Sequence, residues 1–146
     1  MLLSVIRLET GLALAGIGLH VLWIAYLASF YVALSRPLES TGMLLVTQPL
    51  MIGMFISGIP GFGLAVVAYI LSKRYALKAV SMILVAQGII LPLGMAYALT
   101  FSGNIIPEYK SAIITVTPQV FLVAGFALIG LGVHLARLKP VKSRVM

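Results

Sequence analysis

The sequence has no cysteine and very little charge of either sign, acidic charge least of all. Only 9% of its 146 residues are charged, and three of these are acidic, whereas about a quarter of a soluble domain is charged. Without cysteine there are no disulfides, thiolate ligands or thiol redox chemistry. Neither G-x-S-x-G nor H-E-x-x-H occurs, and no acidic pair offers general acid–base catalysis. We therefore expect no cofactor and no catalysis by this chain alone, although it could belong to a membrane enzyme complex.

Long apolar runs make up most of the chain. Hydrophobic residues account for 62% of it, and the mean hydropathy is +1.16. A membrane-spanning helix needs about 20 mostly apolar residues, and four stretches qualify, at about 8–34, 49–71, 79–101 and 118–138. The first is too long for the apolar core of a signal peptide, so we expect it to be retained. The sequence predicts a single all-α transmembrane domain, an antiparallel four-helix bundle in the cell membrane, with a short tail at 139–146.

The distribution of basic residues predicts the orientation of this bundle. With four crossings, the amino end, the middle loop and the tail share one side, and its eight basic residues against Glu9 give a net charge of +7. The loops on the other side are neutral overall. Lysine and arginine concentrate on the cytoplasmic side of membrane proteins, so both termini should be cytoplasmic. The basic side comprises Arg7, Lys73, Arg74, Lys78, Arg137, Lys139, Lys142 and Arg144.

The isoelectric point of about 10.1 would suggest a nucleic-acid partner in a soluble protein. Here the excess charge lies on one predicted membrane face, where anionic lipid headgroups attract each basic residue by about 1 kcal/mol. We therefore expect membrane lipids, and not nucleic acid, as partners of this face. Docking of the basic tail on an acidic partner subunit is the alternative.

A short motif occurs twice, as GLALAGIGLHV at 11–21 and GFALIGLGVHL at 125–135. His20 lies 13 residues after Arg7, about 20 Å along the helix, whereas His134 lies about 5 Å before Arg137. The two histidines should therefore not share a metal or a haem. The small residues of the motif predict close helix packing, with the same chain or another. These packing positions are Gly11, Ala15 and Gly18 in the first copy and Gly125 and Gly132 in the second.

Polar and helix-breaking residues coincide near the predicted membrane midplane. His20 and Gln87 are deep enough that each needs a polar partner. Pro60 and Pro92 each remove a helical hydrogen bond and predict kinks in helices 2 and 3. For His20 and Gln87, one interpretation is an interhelical hydrogen bond, and the other is a proton relay, a quinone contact or a ligand site. For the two prolines, the alternatives are packing kinks and a transport pathway, with Ser57 as the candidate lining residue of a channel.

Two further patterns bear on these alternatives. Glu9 is expected at a membrane edge, paired with Arg7 or in contact with water, which leaves no acid inside a span for proton-coupled transport. Met51 and Met54 share a helical face, with Met43 upstream, and could bind copper, but methionine also fills irregular helix contacts. We favour packing at these methionines and predict no metal site.

The ends of the spans carry aromatic and apolar residues. An aromatic girdle is predicted at the membrane interface, formed in the first helix by Trp23, Tyr26, Phe30 and Tyr31. Thr117 with Pro118, and likewise Pro49, are typical of helix starts. Segments 43–46 and 112–116 would then be apolar rims outside the spans. Such exposed apolar surface is usually covered by lipid or protein.

These patterns lead to two functional hypotheses from different classes. The first is a non-catalytic accessory or structural subunit that packs against other integral membrane subunits through its small-residue faces and apolar rims. The second is a small homo-oligomeric channel or transporter with a midplane pathway near Pro60, Gln87 and His20. No residues in the sequence carry a resemblance to a particular family.

Overall fold

The computed structural model describes residues 2–35 and 43–139, with side chains described for 8–35 and 48–139. In these ranges the regular secondary structure is entirely helical, with no strand. The helices are α1 (Leu2–Leu34), α2 (Met43–Gly53), α3 (Ile59–Ser72), α4 (Lys78–Ser102) and α5 (Ala112–Arg137), with a π-helical turn at Met54–Gly58 and a 3₁₀ turn at Pro107–Tyr109.

Four helical segments are long and apolar enough to cross a membrane, as the hydropathy of the sequence predicted. They are Leu8–Leu34, Gln48–Ser72, Lys78–Ser102 and Ala112–Arg137. The second is continuous through α2, the π turn and α3. Each exceeds the length of about 20 residues that the hydrocarbon core requires. The chain is thus an all-helical protein with the composition of a multi-pass membrane protein.

The fourth segment begins earlier than predicted. Ser111 is the N-cap of α5, in an extended conformation, and its side chain accepts a hydrogen bond from the amide of Ile114 at 3.4 Å. Thr117 and Pro118 therefore lie inside the helix, and their assignment as its start was wrong. Because a serine cap is available one and a half turns earlier, residues 112–116 are helical and belong to the span. Pro49 likewise lies inside α2, which includes residues 43–46.

Pro118 is accommodated inside α5 by a side chain from another helix. Proline has no amide hydrogen, so the carbonyl of Ile114, four residues earlier, lacks its usual helical donor. The buried hydroxyl of Tyr31 donates a hydrogen bond to that carbonyl. Membrane helices tolerate interior proline where a neighbour satisfies the freed backbone group in this way. This bond fixes the end of α1 against the start of α5.

The π turn explains how Pro60 fits the second span. The amide of Ile59 bonds to the carbonyl of Met54, five residues earlier, which places Pro60 in the first turn of α3. The helical hydrogen-bond spacing thus changes from five residues to four next to Pro60. Ser57, within the turn, donates to the carbonyl of Gly53 at 2.8 Å. Pro92, by contrast, lies within the uninterrupted α4. The bending of the helices at the two prolines stays a prediction.

Glycines allow α4 and α5 to approach at backbone distance. A Cβ at Gly88 would lie 2.6 Å from the amide nitrogen of Ile129, and one at Gly132 would lie 2.9 Å from the carbonyl oxygen of Ser81. The Ser81 hydroxyl donates to the carbonyl of Gly132 at 2.8 Å. Close approach of this kind stabilises helix pairs in lipid, where burying leucine against leucine gains little. The α4–α5 pair is therefore the most tightly packed part of the fold.

The aromatic residues of α1 differ from the predicted girdle. Trp23 and Tyr31 are fully buried, so assigning them to the interface was wrong. Trp23 packs against the ring of Phe121, with centroids 5.3 Å apart. Tyr26 is partly exposed, and its hydroxyl donates to the carbonyl of Pro49 at 2.6 Å. The helical period places Trp23 and Tyr31 on the face of α1 that packs against the other helices. Their distance from the predicted membrane edge does not indicate which face they occupy.

Candidate polar site in the helix bundle

The structure brings together two residues that the sequence placed near the midplane. His20 on α1 and Gln87 on α4 are both fully buried. The side-chain nitrogen Nε2 of Gln87 lies 2.6 Å from Nδ1 of His20. Because an amide nitrogen only donates, Nδ1 is the acceptor and the ring proton resides on Nε2. The same amide nitrogen donates to the carbonyl of Gly61 on α3, at 3.4 Å. One glutamine thus connects α4 to both α1 and α3.

Small residues make room for this pair. A Cβ at Gly16 would lie 3.0 Å from Nε2 of Gln87 and 3.1 Å from the carbonyl oxygen of Gly61. A Cβ at Gly61 would lie 3.0 Å from Cδ2 of His20. Both glycines therefore lie at positions where a larger side chain would press on the polar pair. Gly16 precedes His20 by one turn of α1, which is why both reach the same contact.

Several polar atoms around the pair have no hydrogen-bond partner. They are Nε2 of His20, Oε1 of Gln87 and Nε1 of Trp23. The backbone of Gly58 lies near the His20 ring, but Nε2 makes no hydrogen bond with it. Buried polar groups are usually paired, and each exception costs about 1–3 kcal/mol. The pair therefore retains one donor and one acceptor that packing within the described chain does not use.

The other predicted midplane residues lie around the pair without joining it. Ser57 uses its hydroxyl within its own helix. Pro60 is half-buried at the start of α3. Pro92 packs on α5 instead, where a Cβ at Gly125 would lie 2.4 Å from its ring. Only His20 and Gln87, of the five predicted positions, therefore share a direct side-chain contact.

The predicted packing glycines divide into two groups. Gly125 and Gly132 contact α4, at Pro92 and at Ser81 respectively. The stripe of Gly11, Ala15 and Gly18 is exposed, and a Cβ at either glycine would meet nothing within 4 Å. The predicted packing positions of α5 are thus used inside the bundle, while the three predicted positions of α1 point away from it.

The residues of the predicted basic face that the structure describes are exposed at or next to the helix ends. They are Lys73, Arg74, Lys78, Arg137 and Lys139, whereas Lys142 and Arg144 lie outside the described residues. His134 is exposed beside Tyr69, with ring centroids 6.2 Å apart. It lies in the last turn of α5, far in sequence from the buried His20 contact. The structure gives the two histidines different surroundings.

Glu9 differs from the sequence interpretation in its exposure and its partners. It was expected at an edge in contact with water or Arg7, but it is only 1% exposed, and neither carboxylate oxygen has a hydrogen-bond partner. It is the second residue of the first candidate span, Leu8–Leu34, and so lies at one end of that span. The helical period contained the signal, because Glu9, Ala13, Gly16 and His20 recur at the spacing of one helix face. All four residues are buried.

Metal-ligand geometry is not found in the part of the chain that the structure describes, where no three His, Asp or Glu side chains cluster. Met51 and Met54 line an apolar groove of about 370 Å³ with residues 112–121 of α5, including Phe121. The side chain of Met43 lies outside the described residues. The two methionines, at the end of α2 and the start of the π turn, thus belong to an apolar surface shared with α5.

Comparisons with protein-family models, curated proteins and solved structures find no match to this chain.

Proposed function

We propose that the four spans cross a cell membrane in alternating directions, with both termini cytoplasmic. The order of contacts supports alternation: Tyr26 on α1 meets Gly53, whereas His20, earlier on α1, meets Gly61, later in the second span. Along α4 and α5 the contacts also run in opposite order, since Ser81 meets Gly132 whereas Gly88, later on α4, meets Gly125, earlier on α5. The basic residues at the ends of α3 and α5 and the start of α4 then share one side, as expected for the cytoplasmic face.

Within this arrangement we propose that the chain is a non-catalytic accessory subunit of a larger membrane complex. The observation that carries the proposal is the outer face of α1, which comprises Gly11, Ala15, Gly18, Leu22, Ala25 and Ser29. All six residues are exposed, and five of them are small. Glycine in a helix costs about 1 kcal/mol relative to alanine, a cost that close contact with another helix can offset in lipid. No described helix of this chain covers this face.

The apolar groove between α2 and α5 adds a second uncovered surface. Ile113 and Val116 on its α5 side are 37% and 48% exposed. They belong to the segment predicted as an apolar rim, which is now part of a helix. Lipid or a partner helix can cover such a surface. The outer face of α1 is the more informative of the two, because bulky apolar residues serve equally well against lipid whereas small residues favour helix contact.

The composition of the complex extracted in a mild lipid-preserving detergent tests this proposal. We expect larger integral membrane chains to co-purify in fixed stoichiometry. Gly18→Leu should remove them by filling the outer face of α1. Gly63→Leu is the matched control, because a Cβ at Gly63 also meets nothing within 4 Å but lies on α3. Recovery of the wild-type chain alone, or only with copies of itself, would contradict the accessory role.

A pathway through the bundle is the second candidate, favoured by the unused donor and acceptor of the His20–Gln87 pair. The adjoining π turn is also a feature that recurs at functional sites. For this candidate we expect Gln87→Ala to abolish proton or ion flux in vesicles reconstituted with the chain, without changing its assembly. Gln119→Ala, at an exposed glutamine of α5, is the control. Equal flux in both variants would exclude the pathway.

A further inference from the structure

A carboxyl group is buried at the end of the bundle where the basic residues lie. Glu9 is 1% exposed, and both of its oxygens lack a hydrogen-bond partner. The chain has two other acidic residues. Of these, Glu108 is exposed in the 3₁₀ turn and Glu39 lies outside the described residues. Glu9 is therefore the one acidic side chain within a described candidate span.

A second unpartnered polar group belongs to the same depth of the bundle. Ser72, the last residue of α3, is fully buried, and its hydroxyl has no hydrogen-bond partner. His20 contacts Gly61 across the α1–α3 interface. Glu9 precedes His20 by eleven residues and Ser72 follows Gly61 by eleven. Because contacts on the two helices run in opposite order, equal offsets bring Glu9 and Ser72 to the same level, about 16 Å from the His20 contact.

The charged groups at this end do not neutralise Glu9 by direct contact. No described cation lies within hydrogen-bonding distance of either carboxylate oxygen. The other described titratable side chains at this end of the bundle are exposed, except Tyr69, which is half-buried. The exposed ones are Lys73, Arg74, Tyr75, Lys78, His134, Arg137 and Lys139. An ionised carboxylate without partners costs several kcal/mol when taken out of water. Binding a proton removes that cost.

We propose that Glu9 is a buried proton-binding site at the basic end of the bundle, with the Ser72 hydroxyl at the same level. The buried face of α1 connects it to the polar pair: Ala13 and Gly16 are the buried positions between Glu9 and His20. The site does not depend on the proposed accessory role, because it requires only the described burial of Glu9 and the membrane setting.

An apolar carbodiimide, dicyclohexylcarbodiimide, tests this site in the intact chain in membranes. The protonated carboxyl adds to the reagent: its proton moves to one carbodiimide nitrogen and its oxygen bonds to the central carbon. The O-acylisourea then rearranges to a stable N-acylurea, with no leaving group and a mass gain of one reagent molecule. We expect one adduct, at Glu9 by peptide mapping, lost in Glu9→Gln and retained in Glu108→Gln. Labelling should decrease as the pH rises, since only the protonated acid reacts.

A water-soluble carbodiimide provides the comparison. We expect it to modify Glu108, which is exposed, and to leave Glu9 unmodified. Modification of Glu9 by the water-soluble reagent as fast as Glu108 would overturn the proposal, and so would the absence of any Glu9 adduct with the apolar reagent. Protection of Glu9 by sodium ions at constant pH would also overturn it, because the ligand would then be a metal cation. The wild-type adduct is informative even where Glu9→Gln fails to fold.

Discussion

Replacing Gly88 by alanine should force α4 and α5 apart. The added Cβ would lie 2.6 Å from the amide nitrogen of Ile129 and 2.8 Å from the carbonyl oxygen of Gly125. Both are backbone atoms, so no side-chain rotation relieves the contacts. Non-bonded atoms of this size separate by roughly 3.5 Å, so the helices must move by about 0.7 to 0.9 Å. Overpacking of this kind costs about 1–3 kcal/mol.

Helix propensity works in the opposite direction, because alanine favours a helix over glycine by about 1 kcal/mol. We therefore expect Gly88→Ala to lower the free energy of unfolding by about 1–2 kcal/mol. Gly130→Ala is the control, since Gly130 lies on α5 with nothing within 4 Å of its added Cβ. It should be neutral or stabilise by up to about 1 kcal/mol. Denaturant titration in detergent micelles, followed by helical circular dichroism, measures both. Equal stability of the two variants would refute the backbone contact between α4 and α5.

Two further predictions concern the Pro118 region and the orientation of the chain. Tyr31→Phe should lower the free energy of unfolding by about 1–3 kcal/mol, because it leaves the Ile114 carbonyl without a donor. The loss should be smaller in a Pro118→Ala background, where the alanine amide can donate to that carbonyl. A double-mutant cycle of unfolding free energies measures this coupling, and its absence would contradict the role of the tyrosine. Because the chain has no cysteine, Asn104→Cys should react with an impermeant maleimide on intact cells and Arg74→Cys only after permeabilisation; the reverse pattern would refute cytoplasmic termini.

The helical segments could be predicted from hydropathy because apolar length is what a membrane span requires. The start of α5 could not, since Thr117 and Pro118 have the local chemistry of a helix start. Two contacts determine where α5 begins. Ser111 caps the helix earlier, and the hydroxyl of Tyr31 on α1 supplies the hydrogen bond that Pro118 removes. Local helix propensity does not include the Tyr31 hydroxyl, a donor 83 residues away in sequence from the carbonyl that it bonds.

The candidate site was predicted in part. Depth along the predicted spans singled out His20 and Gln87, and the structure places them in contact. Glu9 was judged by its nearness to Arg7 alone. The angular position of Glu9 on α1, which matches that of His20, determines its burial. The helical period groups Glu9 with His20 on one face of α1, but the burial of that face also depends on its contacts with α3 and α4.

The packing of Trp23 gives the chain an optical probe of its own. It is the single tryptophan in the sequence, it is fully buried, and it lies three residues after His20 on α1. Its ring contacts Phe121 of α5, and a Cβ at Gly58 of the π turn would lie 3.3 Å from it. Intrinsic fluorescence therefore reports on the junction of three helical segments without any label. Binding of a ligand at the His20–Gln87 pair, or separation of the helices around it, should change the emission of Trp23 before the bundle as a whole unfolds.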